Sequence, residues 1–201
     1  MTKEIYLDNA ATTKPYEEVV QMVADTMLYT YGNPSSLHKM GMDAENRLKE
    51  ASQFFAKQMG ALPEEVIYTS GGTESNNTAI LGAAMAYKRQ GNKIITSAIE
   101  HPSVKEVFRY LEDQGFEVVT IGVNAKGEID LEALNEAIDE RTILVSIMHV
   151  NNEIGTIQPI EAIGKLIKDK NKETLFHVDA VQSYAKINFR PSRYNIDFMS
   201  V

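Results

Sequence analysis

Hydrophobic positions in the first part of the chain recur at helical spacing. Between residues 16 and 30 the apolar side chains fall on one helical face, and Pro15 precedes the first turn, so we predict a helix there. A second helix is predicted over residues 39–59, where the apolar stripe ends at Gly60. Turn-forming residues at 31–36 separate the two helices.

From residue 66 onwards, short runs of apolar and β-branched residues alternate with helical patterns. The predicted strands are 66–69, 94–97, 118–121, 142–150, 175–178 and 196–199, and the predicted helices are 73–90, 103–113, one opening at Asp130, and 160–170. This alternation indicates βαβ units. The run 143–148 is apolar without alternation, which indicates a sheet covered on both faces. We therefore predict an α/β fold with a mainly parallel sheet and helices on both faces.

Composition narrows the function classes. The 201 residues amount to one large domain, or one domain and a fragment. Lys and Arg number 20 against 28 Asp and Glu, and this acidic balance argues against a nucleic-acid partner. The absence of Cys excludes disulfides, thiolate metal sites and a cysteine nucleophile within these residues. No signal peptide or membrane-spanning apolar run is visible, so we expect no membrane partner and a cytoplasmic location.

Polar residues follow four of the predicted strands, in the segments 70–77, 100–103, 151–155 and 179–183. Ligands of open α/β sheets bind beyond the carboxyl ends of the strands. We expect the four segments to meet at one rim of the sheet, and this convergence indicates a ligand site better than any single motif does.

The turn Gly71-Gly72-Thr73 opens a predicted helix. Its glycines let the backbone approach a ligand, and the helix N-terminus offers N–H groups and a positive dipole end to an anion. The alternative is a Ser or Thr helix cap with Glu74 in the first turn. No Lys-Ser/Thr pair follows the glycines, so this is not a Walker loop.

Three other positions are ambiguous when each is taken alone. Asp179 follows an apolar strand, where it either caps a helix or pairs with a cation, and an isolated His101 is more often structural than catalytic. The pair Asn151-Asn152 suits a turn or a substrate carboxylate. His177 shares a strand face with Asp179, but no metal-ligand spacing accompanies it, so we predict no metal site.

One ligand suits these features together. Pyridoxal 5'-phosphate (PLP) has a phosphate for the helix start, a flat ring for an imidazole to stack on, and a pyridine nitrogen that a carboxylate keeps protonated. Its phenolic oxygen needs a donor, and Gln182 follows Asp179 by three residues.

Six motifs occur in order along the chain: YLDNAATT at 6–13, YGNPSSLH at 31–38, TSGGTESNN at 69–77, EHPS at 100–103, HVNNEIGTIQP at 149–159 and HVDAVQS at 177–183. On these motifs the sequence closely resembles the cysteine desulfurase family of the NifS/IscS type. That family lies within the class V aminotransferase group of fold-type I PLP enzymes.

The resemblance implies a cofactor role for five residues. Gly72 and Thr73 bind the PLP phosphate, and His101 stacks on the ring and transfers protons as the catalytic residue. Asp179 pairs with the pyridine nitrogen, and Gln182 hydrogen-bonds the ring 3-oxygen.

The resemblance also implies where the substrate binds. Asn152 helps to hold the substrate carboxylate, and Asn9 and Ala11 lie on the substrate side of the cleft. The implied reaction converts L-cysteine to L-alanine and leaves the sulfur as a persulfide on an enzyme cysteine. The implied partners are an iron–sulfur scaffold or tRNA-thiolation protein as sulfur acceptor, and a second subunit in a homodimer.

In the family, a segment like Asp197–Ser200 runs on into Ser-any-His-Lys, and that lysine binds PLP covalently. This chain ends at Val201. We therefore expect an N-terminal segment at 1–15, a partial PLP-binding large domain at 16–201, and no small C-terminal domain. The PLP-binding lysine and the nucleophilic cysteine then lie beyond Val201, so the chain alone is expected to be inactive and to hold PLP weakly or not at all.

Two alternatives stay open at this stage. The fold suits a selenocysteine lyase or another class V PLP enzyme, although the motifs at 31–38 and 151–153 favour a desulfurase. A natural non-catalytic binding or dimerisation module is the other alternative.

Overall fold

The structure is a computed structural model, and it describes residues 5–188 and 190–201. The chain divides into two compact units, Met1–Ile67 and Tyr68–Val201. The domain limits drawn from the sequence, with a boundary after residue 15, stay a prediction. Among the described residues no helix is long and apolar enough to cross a membrane.

The first unit contains the two helices that the hydrophobic pattern predicts. Helix α1 spans Glu17–Tyr29 and helix α2 spans Lys39–Met59, and a 3₁₀ turn follows at Pro63–Glu65. His38 caps the start of α2, where its Nδ1 accepts from the backbone N–H of Gly41. Gly60 ends α2 with φ 70°, a left-handed conformation that glycine adopts without a Cβ penalty.

The second unit contains a five-stranded, all-parallel sheet. Its strands are β1 (Lys93–Ser97), β2 (Glu117–Ile121), β3 (Thr142–Ser146), β4 (Leu175–Asp179) and β5 (Phe198–Ser200), in the spatial order β2-β1-β3-β4-β5. Its helices are α3 (Gly72–Tyr87), α4 (Pro102–Asp113), α5 (Leu131–Ala137) and α6 (Ile160–Lys170), with a 3₁₀ turn at Pro191–Tyr194. The α/β class and the parallel sheet predicted from the sequence are confirmed.

Two apolar clusters cover the two faces of this sheet. Ile94 and Leu144 pack with residues of α3 and α4, whereas their neighbours Ile95 and Val145 pack with residues of α5 and α6. Successive strand residues point to opposite faces, so each strand supplies both clusters. All five residues of β1 and all five of β3 are buried, so the adjacent apolar residues in each strand, Ile94 and Ile95 in β1 and Ile143 to Val145 in β3, face two covered sides of the sheet.

Two predicted strands are wrong in part or in whole. Residues 66–69 form no strand, and Ile67 and Tyr68 are 74% and 60% exposed. An extended segment becomes a strand only when a neighbouring backbone supplies hydrogen bonds, and none of the described strands pairs with this one. Strand β3 ends at Ser146 instead of 150. The backbone N–H groups of Ile147 and His149 still donate to residues of β4, and the chain turns back after Val150, which bridges to Ile157.

Candidate functional site

The carboxylate of Asp179 lies at the carboxyl end of β4 and is buried. Its Oδ2 accepts a hydrogen bond from Asn76 Nδ2 of α3 at 2.8 Å, and its Oδ1 accepts from the backbone N–H of Val181 at 3.1 Å. A helix side chain and the turn after the strand therefore hold both carboxylate oxygens in place.

The imidazole of His101 caps helix α4. Its Nδ1 accepts from the backbone N–H of Ser103 at 3.1 Å and lies 2.8 Å from Ser103 Oγ, while the residue remains exposed. Ser103 Oγ in turn accepts from Asn76 Nδ2 at 2.9 Å. A hydrogen-bonded chain therefore joins His101 to Asp179, two residues that the sequence predicts in one site.

Helix α3 begins without a side-chain cap. Gly71 is the capping position, and the first bond of the helix runs from the N–H of Ser75 to the Gly71 carbonyl. The N–H groups of the first turn are thus left to an outside acceptor. A Cβ added to Gly72 would lie 2.8 Å from Val181 Cγ2, so the helix start packs closely against the turn that follows Asp179.

No Ser or Thr side chain caps the described helix α3, so the alternative considered from the sequence is wrong. Thr73 lies exposed in the first turn and caps nothing. Glu74 accepts from the backbone N–H of Ser70, and this hydrogen bond lowers the pKa of the Glu74 carboxyl. The hydroxyl of Thr73 therefore remains on the solvent side of the helix start.

An open cavity of about 580 Å³ connects the starts of α3 and α4. Thr73 lines it from α3, and His101 and Ser103 line it from α4. The cavity and the hydrogen-bonded chain together place the helix start, the imidazole and the strand-end carboxylate in one neighbourhood. This is part of the convergence predicted from the sequence.

The two adjacent asparagines after β3 have different surroundings. Asn151 is buried: its Nδ2 donates to the Ile99 carbonyl at 2.9 Å and its Oδ1 accepts from the backbone N–H groups of Glu153 and Ile154. Asn152 is half-buried, and its amide forms no hydrogen bond within residues 5–188 and 190–201. Asn151 fixes the loop, whereas the role of Asn152 at the substrate stays a prediction.

Gln182 is half-buried in the turn that follows β4. Its Oε1 accepts from Lys186 Nζ at 3.3 Å. Asn9 and Ala11 belong to the other compact unit, Met1–Ile67, so their place beside the substrate stays a prediction.

Two residues of the site, Asn76 and Ser103, were not singled out from the sequence. A signal for Asn76 exists: it shares the buried stripe of α3 with Ile80 and Ala83, where a polar side chain needs a partner. Ser103 offers no such signal, because a serine in the first turn of a helix is common.

Glu100 is a third residue that sequence reasoning missed. It is 2% exposed, and its Oε1 accepts from Ser97 Oγ and, at 2.9 Å, from the backbone N–H of Met148. Burial raises the pKa of Glu100 to about 8, and the negative charge of Asp179 adds to the rise. A neutral Glu100 therefore leaves Asp179 as the carboxylate that a cationic ligand group would meet.

His177 is buried in the core and hydrogen-bonded there. Its Nδ1 lies 2.8 Å from Ser146 Oγ and its Nε2 lies 3.0 Å from Ser200 Oγ, and burial lowers its pKa to about 3. In the part of the chain that the structure describes, no three His, Cys, Asp or Glu residues group as metal ligands.

The chemistry of these donors fits PLP. A helix start that has no side chain at Gly72 suits a phosphate, because the backbone N–H groups remain open to it. The buried carboxylate of Asp179 suits a protonated pyridine nitrogen, and the exposed ring of His101 offers a stacking surface.

The parallel sheet, with polar groups beyond the carboxyl ends of its strands, is that of an open α/β fold, in which ligands bind at this edge. The chain belongs to the aminotransferase class-V family, whose profile matches residues 5–201. This confirms the group expected from the motifs.

Curated relatives are cysteine desulfurases. The chain is 43% identical to cysteine desulfurase IscS of Dictyoglomus turgidum over 100% of this chain and 50% of that protein. It is 42% identical to the mitochondrial cysteine desulfurase of Candida albicans, over 100% of this chain and 41% of that protein. The chain thus spans about half the length of the curated relatives it matches.

Solved structures agree with this likeness. A NifS-like protein superposes with a TM-score of 0.95 at 41% identity, over 98% of this chain and 55% of that one. SspA in complex with cysteine superposes with a TM-score of 0.91 at 38% identity, over 97% and 56%. The predicted resemblance to NifS/IscS-type proteins is confirmed.

Proposed function

We propose that this chain is the N-terminal, PLP-binding part of a cysteine desulfurase. The hydrogen-bonded chain from His101 to Asp179 carries the proposal, because it joins an exposed imidazole to a buried carboxylate beside a helix start. The overall reaction converts L-cysteine and an enzyme thiol to L-alanine and an enzyme persulfide. The carbon–sulfur bond of the substrate breaks, and a sulfur–sulfur bond forms.

PLP supplies an electron sink when it is bound. Gly72 N–H and the Thr73 hydroxyl hold the phosphate at the start of α3, and Asp179 holds the protonated pyridine nitrogen. Gln182 donates its amide to the ring 3-oxygen. Together these residues would hold the cofactor at the carboxyl ends of the strands.

The remaining residues act on the substrate side. His101 would stack on the ring and take part in proton transfer at the substrate. Asn152 donates its amide N–H to the substrate carboxylate. The amide is available for this because it forms no hydrogen bond within the described residues. Asn9 and Ala11 contribute to the substrate side of the cleft.

The sulfur acceptor is an iron–sulfur scaffold or a tRNA-thiolation protein, and the active species is a cytoplasmic homodimer. The relatives support the desulfurase part of the proposal, since most of them are bacterial proteins named cysteine desulfurase IscS. The apolar side chains that α1 exposes suit burial against another surface: Val19, Val20, Val23 and Met27.

The test compares two lengths of the protein. Expressed at the full length that its gene encodes, the protein is expected to release alanine from L-cysteine with PLP and a thiol reductant. The 201 residues alone are expected to release none, because they contain no Cys to accept sulfur. Alanine is measured by chromatography, and L-selenocysteine is assayed in parallel.

Two outcomes count against the proposal. Alanine release by the 201-residue chain contradicts its inactivity. A full-length protein that acts on selenocysteine alone would move the assignment to a selenocysteine lyase, and one that acts on neither would favour a binding module.

A further inference from the structure

The hydrogen bonds around Asn76 have a fixed direction. Its Nδ2 carries two N–H groups, and these point to Asp179 Oδ2 at 2.8 Å and Ser103 Oγ at 2.9 Å. Flipping the amide would set Asn76 Oδ1 against the carboxylate, so that two acceptors would face each other in a buried place. Asp179 therefore dictates the orientation of the amide.

The orientation of the Asn76 amide in turn fixes where the hydroxyl hydrogen of Ser103 points. Its Oγ already accepts from Asn76, and its single hydroxyl hydrogen is left for His101 Nδ1, which lies 2.8 Å away. The backbone N–H of Ser103 also donates to the same nitrogen at 3.1 Å. Two donors converge on Nδ1, so this nitrogen carries no hydrogen.

The neutral imidazole of His101 consequently has its proton on Nε2. Nothing within the described residues competes for that hydrogen, and the ring is exposed beside the cavity that Thr73 also lines. His101 thus presents an N–H donor, and not a lone pair, at its free edge.

We propose that Asn76 and Ser103 are positioning residues that hold His101 in the Nε2–H tautomer, with Asp179 as the fixed end of the hydrogen-bonded chain. The inference about the tautomer depends only on the described contacts, and its effect on turnover rests on the proposed function. His101 then meets the substrate with a hydrogen-bond donor at Nε2 and not with a lone pair.

The primary test is the tautomer itself. Protein labelled with ¹⁵N-histidine, at the full length that its gene encodes, is studied by magic-angle-spinning NMR, and His101 is assigned by the signal lost in His101→Gln. We expect a protonated Nε2 and an unprotonated Nδ1 in the unaltered protein. A protonated Nδ1 in the neutral ring would overturn the proposal.

The variants test the role of Ser103. Ser103→Ala removes the hydroxyl donor and leaves only the backbone N–H of residue 103 at Nδ1. The Nδ1–H tautomer is therefore expected to become detectable beside the Nε2–H tautomer, and kcat to fall roughly tenfold with KM nearly unchanged, as expected for a misplaced hydrogen-bond donor. Ser103→Thr keeps the hydroxyl and is expected to restore both signals. An Ala variant whose tautomer and kcat match those of the unaltered protein would refute the positioning role.

Ser146→Ala provides a matched control. Ser146 is another buried serine whose Oγ lies 2.8 Å from a histidine Nδ1, that of His177, but it stands outside the site. It is expected to leave the His101 tautomer and kcat unchanged. If the protein shows no desulfurase activity but His101 still gives the Nε2–H signal, the result would count against the proposed function alone. If the protein is active and Ser103→Ala changes neither the tautomer nor kcat, the result would count against this inference alone.

Discussion

At the scale of single residues, the site depends on polar side chains that are buried and paired. Asp179, Asn76 and Ser103 are each less than a tenth exposed, and each makes at least one hydrogen bond to another of the three. Buried polar groups are costly when a partner is removed, because the remaining group has lost water and gains nothing in exchange. Asp179 is the most sensitive of these positions, since it accepts from two donors.

Asp179→Ala is therefore expected to lower the free energy of unfolding by about 1–3 kcal/mol, because Asn76 Nδ2 and the N–H of Val181 lose their acceptor. It is also expected to weaken PLP binding by roughly tenfold or more, through loss of a charged hydrogen bond. Urea unfolding and absorbance titration with PLP, both on the protein at the full length that its gene encodes, measure the two effects. Asp169→Ala, at an exposed position of α6, should change neither, and an unaffected Asp179→Ala would contradict the role given to this carboxylate.

At the scale of elements, close backbone approach decides which glycines matter. Gly164 lies in the middle of α6, and a Cβ there would collide with the carbonyl oxygen of Tyr194 in the neighbouring 3₁₀ turn. Gly82 lies in the middle of α3, where a Cβ would meet nothing within 4 Å. The two glycines occupy equivalent helical positions but differ in their surroundings.

Gly164→Ala is expected to destabilise the protein by about 1–3 kcal/mol, because α6 must shift away from the 3₁₀ turn. Gly82→Ala is the control, and it should stabilise by about 0.5–1 kcal/mol, since alanine loses less backbone entropy in a helix. Thermal and urea unfolding of both variants give the comparison. Equal effects of the two substitutions would show that the contact with Tyr194 has no energetic weight.

At the scale of the whole molecule, two buried groups with displaced pKa values make stability depend on pH in opposite directions. His177 stays neutral in the fold down to a pKa of about 3, whereas the unfolded chain binds that proton below about 6.5. The free energy of unfolding therefore falls as the pH is lowered between these values. Glu100 keeps its proton up to a pKa of about 8, whereas the unfolded chain loses it above about 4.5, so alkali removes stability between 4.5 and 8.

The two groups are expected to offset each other between pH 4.5 and 6.5 and to leave a plateau of stability there. Outside the plateau the free energy of unfolding should fall by up to about 1.4 kcal/mol per pH unit for each proton. Urea unfolding from pH 3 to 8 checks this, because the acid side of the profile lies between about pH 3 and 4.5. In Glu100→Gln the free energy of unfolding should no longer fall on the alkaline side of the plateau, and in His177→Asn it should no longer fall on the acid side. Glu132→Gln, at an exposed position, should keep the fall on both sides.

Most of the elements follow from the sequence because their patterns are local. The apolar stripe that ends at Gly60 predicted α2, and the non-alternating apolar residues 143–145 of β3 predicted a sheet that is covered on both faces. Residues 66–69 have the same composition as a strand and form none, because strand formation depends on a partner backbone that no local pattern reveals.

The site divides in the same way between the sequence and the tertiary structure. The sequence by itself determined the family, the helix start at Gly72 and the candidates His101 and Asp179. Only the tertiary structure decided that Asn76 and Ser103 connect those two residues and that Glu100 is buried. It also decided that the side chain of Asn151 is hydrogen-bonded, whereas that of Asn152 is not within the described residues. Hydrogen-bond partners far apart in the chain meet only when the helices pack on the sheet, so their pairing has no signature in the spacing of residues.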